Sequence, residues 1–280
     1  MKQLLTIALT SSILLLSPTR ASALYNGFSG QSPTTQGWAL SPSPPNGTEI
    51  PQSTGVVFDT NGSGSNFGIR DGYSRMGPTL NPDIGFNLRF DLQLLQEARN
   101  SNADNNLDGR DDRAGLSILV VSNDRARAIE LGFFADRVWA QNDGATKADP
   151  VTNPMGTRFT QSQTEFADFT TNTAINRYDL SFLGSTYYLY ANGNYTTPLF
   201  SGLLRDYRQE AIDFPGPASA VYNTSNFIFI GDNTTSARGS FRLNQVELSP
   251  AITPIPFAFN PLFGFGVFGL SRLRKAIAKK

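Results

Sequence analysis

Apolar and polar residues alternate most regularly in IGFNLRFDLQLL, where Ile84, Phe86, Leu88, Phe90, Leu92 and Leu94 interleave with Gly85, Asn87, Arg89, Asp91 and Gln93. A period of two predicts a strand with one face on a core and the other in water. The runs GLSILVVS (115–122), AIELGFF (128–134) and RVWAQN (137–142) are instead apolar at nearly every position. Short polar turns join them, so they predict antiparallel neighbours covered on both faces. Glu130 and Asp136 flank the turn after IELGF and read as lone, solvated acids at strand ends.

Further along, RYDLSFLG and STYYLYANGNYTTPLFSGLLRDY contain apolar stretches on either side of Asn192-Gly193, a dipeptide that tolerates the positive φ angles of a hairpin turn. The strands NFIFIGD and GSFRLNQVELS close the pattern. About nine to eleven short strands at this spacing predict an all-β, two-sheet jelly-roll sandwich. Residues 25–82 are rich in Gly, Ser, Pro, Asn and Thr and read as turns and loops, with short strands at 37–40 and 55–58. One sandwich domain, 24–250, with a loop-rich start over 24–82, is the expected organisation.

The two ends follow different rules. MKQLLTIALTSSILLLSPTRASA begins with Lys2, continues with an apolar stretch and closes on Ala21-Ser22-Ala23, the layout of a secretory signal peptide over 1–23 with a mature start at Leu24. The C-terminal segment 251–280 contains an apolar stretch, 255–270, that as a helix reaches about 24 Å, short of the roughly 30 Å hydrocarbon core. It ends in Arg272, Arg274, Lys275, Lys279 and Lys280, a basic cluster that the positive-inside rule keeps cytoplasmic during export. A short N-terminal signal helix and a short C-terminal apolar helix are expected, and with them at least transient contact with a membrane.

Composition narrows the function. The chain has no Cys and no His among its 280 residues, which excludes disulfides, thiol nucleophiles, Ser-His-Asp triads and the usual zinc sites. With the termini set aside, 16 basic residues face 23 acidic ones, a net charge of −7 that argues against nucleic acid as a partner. The stretch ADNNLDGRDDRAG spaces Asp104, Asn106, Asp108, Asp111 and Asp112 like the start of a calcium loop, although Gly115 stands where a bidentate Glu belongs. Calcium and a solvated turn are the two readings. No paired carboxylates mark a glycosidase strand, so an enzyme is not expected. Trp139, with Tyr188 and Tyr190, offers aromatic faces for a surface polysaccharide, against the alternative that such rings are core.

Three stretches, DRAGLSILVVSNDRARAIELGFFADRVWAQN, RYDLSFLGSTYYLYANGNYTTPLFSGLLRDY and NFIFIGDNTTSARGSFRLNQVELSP, resemble the choice-of-anchor domains, type Y, of cyanobacterial exported proteins. The hairpin at Asn192-Gly193 and the return through Gly231-Asp232 are similar to the closing half of concanavalin or laminin-G jelly rolls. The tail resembles the PEP-CTERM class of sorting signals and its PFE-CTERM variant: Pro256 and Phe257 match the variant's start, and Arg272, Arg274 and Lys275 its basic end, while Ala258 stands in place of Glu. That resemblance implies an exosortase-like processing enzyme as partner and an envelope, cell-surface or extracellular location. A structural or binding role is the expectation, with a lectin-like carbohydrate-binding module as the alternative.

Overall fold

The computed structural model describes residues 21–41, 47–61, 71–99, 104, 106, 108–142, 159–213, 220–234 and 236–252. Fifteen strands lie among them: β1 (Ser22–Asn26), β2 (Ala39–Ser41), β3 (Thr48–Pro51), β4 (Val56–Asp59), β5 (Asp71–Met76), β6 (Phe86–Arg99), β7 (Ser117–Val121) and β8 (Ala128–Phe133), continuing with β9 (Arg137–Gln141), β10 (Gln161–Asp168), β11 (Asn176–Leu183), β12 (Thr186–Ala191), β13 (Phe200–Leu203), β14 (Phe227–Asp232) and β15 (Ala237–Ser249). A six-residue helix, α1 (Arg208–Asp213), and a 3-10 turn, Val221–Asn223, interrupt the strands between β13 and β14.

The strands form two antiparallel sheets. One has eight strands in the order β13-β12-β11-β6-β15-β4-β3, with β1 also paired to β15, and the other seven in the order β10-β9-β8-β7-β14-β5-β2. The fold is the all-β jelly-roll sandwich that the strand pattern predicts. Its core lies between the sheets, where Phe86, Leu88, Phe90, Leu92 and Leu94 of β6 face Ile118, Val120, Ile129 and Leu131. Phe90 stacks on Tyr178 of β11 at 5.3 Å between centroids and meets Phe133 of the opposite sheet edge-on at 6.2 Å. Truncating such a ring costs about 3–5 kcal/mol.

Three details differ from the pattern. The alternation starts at Phe86, because Ile84 precedes the strand and is 81% exposed. The stretch expected to be loop-rich supplies five strands; β2 and β4 overlap the two expected at 37–40 and 55–58, and β1, β3 and β5 are additional. On the eight-stranded sheet the outward face of β6 is not wholly wet, since Asn87 and Asp91 are buried by their neighbours. The hairpin at Asn192 and Gly193 has φ of 52° and 75°, and a loop of several residues leads on to β13. Residues 1–20 and 253–280, with Pro256, Phe257, Arg272, Arg274 and Lys275 and the two expected terminal helices, lie outside the described residues, while Ser22 and Ala23 of the expected leader are in strand β1. Among the described residues no helix is long and apolar enough to cross a membrane.

Candidate functional site

The Asp/Asn stretch spends its oxygens locally. Asp104 accepts from the backbone N–H groups of Asp108 and Gly109 at 3.0 and 2.8 Å, and Asp108 accepts from Arg110 N–H at 3.0 Å and from Gln163 Nε2 at 2.9 Å. Asn106 reaches Asp108 through both ends of its carboxamide, while Gly109, at φ 83°, makes the turn. Asp111 gives its carbonyl to Gln161 Nε2, and the fully buried Asp112 accepts from Gln161 N–H at 2.7 Å. The carboxylates of Asp104, Asp108 and Asp112 cap N–H groups, as Asp does in turns. No group of three or more metal-ligating side chains is assembled among the described residues.

The aromatic platform is also divided. Trp139 sits on β9 at 1% exposure, packed on Phe134 at 5.7 Å, and its indole covers Gly132, where a Cβ would come within 2.4 Å of the ring. Tyr188 and Tyr190 lie on the other sheet, stacked at 6.4 Å, with Tyr190 fully buried beneath the edge of Tyr195 at 5.8 Å. The fold therefore leaves Tyr188, half-buried, as the one ring of the three that meets water. The strand period explains this division: Tyr187 faces the core and Tyr188 and Tyr190 the opposite side of β12.

The strongest constellation lies elsewhere, on the outer face of the seven-stranded sheet. Glu130 projects from the middle of β8 and is 1% exposed, which overturns its reading as a solvated strand end; Asp136 does stay in water. The Glu130 Oε1 accepts from Asn233 Nδ2 at 2.8 Å, and its Oε2 accepts from Gln141 Nε2 at 2.9 Å and Tyr222 Oη at 2.8 Å. Tyr207 Oη donates to the Gln141 carbonyl at 3.1 Å and accepts from Glu130 N–H at 3.3 Å. Arg113, buried, donates to Gln141 Oε1, to the Asn233 carbonyl at 2.7 Å and to Thr234 Oγ1 at 3.2 Å. Gln141 and Asn233 thus stand between a guanidinium and a carboxylate, polarised by both. Charge-assisted bonds of this kind are about twice as strong as neutral ones.

Local sequence positions each group. Ile129, Leu131 and Phe133 take the core side of β8, so Glu130 must face outward. Gln141 ends β9, Asn233 follows β14, Arg113 leads into β7, and Tyr207 and Tyr222 come from the crossing segment between β13 and β14. Apolar clusters flank the polar groups: Leu119, Val121, Tyr207, Tyr222 and Phe229 on one side, Ala114, Phe134 and Trp139 on the other. Phe159 places its ring 5.0 Å from the Arg113 guanidinium and holds a φ of 56°, a left-handed conformation that bulky residues rarely adopt. Strain of this sort costs about 1–3 kcal/mol and collects at functional sites.

Chemically the centre offers one carboxylate, two carboxamides, two phenols and a guanidinium. Its polar atoms are bonded to one another, which makes the set a buried hydrogen-bond network. The signal for Glu130 was present in the sequence, as an acid in the middle of a run that otherwise reads as covered on both faces. Tyr207, Tyr222 and Asn233 carried no comparable signal, because they come from separate segments.

No family model and no curated protein matches the chain. Among solved structures, the carbohydrate esterase vb_24B_21 of the Shiga toxin-encoding bacteriophage phi24B is similar at 10% identity and a TM-score of 0.48, over 83% of this chain and all of that one. The exoplasmic/lumenal domain of VIP36, in a form bound to Ca²⁺ and Man3GlcNAc, is similar at 11% identity and a TM-score of 0.41, over 84% and 90% of the two chains. A galectin-like protein of unknown function from Bacillus subtilis matches at 11% and 0.40, over 82% and 97%. At these values the likeness assigns no site and no activity to this chain.

Proposed function

We propose that this chain is an exported surface protein with a structural or binding role and no catalytic one, in which the buried Glu130 centre clamps the outer face of the seven-stranded sheet. The observation that carries the proposal is the polar centre itself: side chains from five separate segments meet on a sheet face whose flanks are apolar. Glu130, Gln141, Asn233, Tyr207 and Tyr222 are buried and bonded to one another, so they hold the segment between β13 and β14 on the sheet.

Export and delivery rest on the two terminal segments. The leader sends the chain across the membrane; the short apolar tail pauses there, its basic end inside, for an exosortase-like enzyme to process before release to the surface. Mass spectrometry of fractionated cells checks this, since an intact C-terminus confined to membranes would replace sorting with a plain anchor. Urea unfolding tests the clamp: Glu130→Gln keeps the shape and should lower stability by about 1.5–3 kcal/mol, the value of a hydrogen bond to a charged group. An unchanged midpoint would remove the clamp, and saturable retention on a surface polysaccharide that Glu130→Gln abolishes without loss of stability would make the centre a sugar site instead.

A further inference from the structure

The sequence puts the end of the leader after Ala23, yet residues 22 and 23 are part of the folded sandwich. Strand β1 pairs antiparallel with β15 in the register Ser22 with Leu248, Ala23 with Glu247, Tyr25 with Val246 and Asn26 with Gln245. Leu24 and Tyr25 are in the core at 4% and 0% exposure. The Leu24 carbonyl accepts from Trp38 Nε1 and from Arg75 NH1, both at 2.9 Å, and Asn26 is tied by its main-chain N–H and carbonyl to the Gln36 carboxamide. A cut before Leu24 would remove two of the four pairs. It would also place a charged ammonium directly on a core residue, where desolvation is costly.

Two residues upstream the conditions differ. Ala21 lies outside the strand, and Ala21, Ser22 and Ala23 are all exposed. Thr19-Arg20-Ala21 provides another small residue at each of the two positions that a signal peptidase inspects. We propose that the leader is removed between Ala21 and Ser22, so that the mature chain starts with β1 whole; this rests on the export reading above. In the step, water adds across the Ala21–Ser22 peptide bond, the leader departs with the Ala21 carboxylate and Ser22 keeps the new ammonium, which an exposed strand end leaves in water. Glu247, opposite Ala23, then remains paired in the ladder.

The experiment is secretion of the full chain from a bacterial host, with N-terminal sequencing of the product. Ser22 as first residue is the expected result, and Leu24 would overturn the proposal. Ala23→Phe adds a bulky side chain at an exposed strand position, and should leave processing unchanged, because residue 23 lies beyond the bond. Ala21→Phe should abolish it. A block by Ala23→Phe as complete as that by Ala21→Phe would return the cut to the Ala23–Leu24 bond. If the wild-type chain stayed in the cytoplasm with Met1 intact, the export reading itself would fall, and the processing site with it.

Discussion

The outer faces of the two sheets handle polar residues in opposite ways. On the eight-stranded sheet, Arg89 lies between Asp179 at 2.9 Å and Glu247 at 3.4 Å, and Arg177 pairs with Asp91 at 3.2 Å, along rows that water reaches at their ends. On the seven-stranded sheet the outer face is covered by the segment between β13 and β14 and by residues leading into β7, and the buried Glu130 and Arg113 bond to Asn233, Gln141, Tyr222 and Thr234. Charged groups near water tolerate incomplete pairing, because solvent completes their shells. Buried ones must be fully bonded, so the covered face specifies its network residue by residue.

Removing the carboxylate of the covered face should have the largest effect. Glu130→Ala removes an acceptor shared by Asn233, Gln141 and Tyr222 and should cost about 3–5 kcal/mol in urea unfolding. A loss below about 1 kcal/mol would mean that water enters the face, and the contrast between the sheets would collapse.

Asp232 sharpens the comparison through pH. Burial, reinforced by Asp71 directly across the strand pair, pushes its carboxyl up to about 8, against the pull of the Thr234 N–H, the Thr60 hydroxyl and Arg113. The unfolded chain ionises this group near 4 while the fold keeps it protonated. Its stabilising contribution is therefore full below about pH 4 and declines as pH rises toward 8, at up to about 1.4 kcal/mol per unit. Denaturant midpoints at pH 5 and pH 8 measure the slope, and Asp232→Asn should flatten it; an unchanged slope would place the titration on other groups.

Smaller effects are expected on the open face, graded by depth. Asp179, whose side chain has no exposure, accepts from Asn87, Arg89 and Tyr195, so Asp179→Ala should cost about 1–3 kcal/mol. Arg177→Ala, at 47% side-chain exposure, should cost no more than about 1 kcal/mol. Equal losses at the two positions would show that burial does not govern the ladder. Calcium or a chelator should leave the melting temperature unchanged, because the oxygens of Asp104 and Asp108 already cap N–H groups. A rise on adding calcium would mean that the turn opens to form a site.

Much of the sandwich could be read from strand patterns, and little of its centre. The long alternation of β6 and the apolar runs of β7, β8 and β9 carry their burial in one dimension, so their place in the sheets followed directly. Of the five strands before residue 77, β2 and β4 overlap the short strands expected at 37–40 and 55–58, but β1, β3 and β5 were not legible, since four to six residues hold too few alternations to register as a period. Their order comes from pairing with β15 and β14, segments more than 150 residues away. Trp139 shows the same limit in reverse: its aromatic character was plain, but whether it met water depended on Phe134 and on Gly132 beneath it.

The sequence by itself determined the class of fold, the absence of thiol and imidazole chemistry, the acidic balance between the termini and the layout of the two terminal segments, all properties of composition and of neighbours along the chain. Only the tertiary structure decided that the side chains of Asp104, Asn106, Asp108 and Asp112 accept from N–H groups. It also decided that one acid in a buried strand gathers Asn233, Gln141 and Tyr222, and that Ser22 belongs to the sandwich. The physical reason is common to all three: a polar atom takes its role from whichever partner reaches it in space, and most of those partners come from strands far away in sequence.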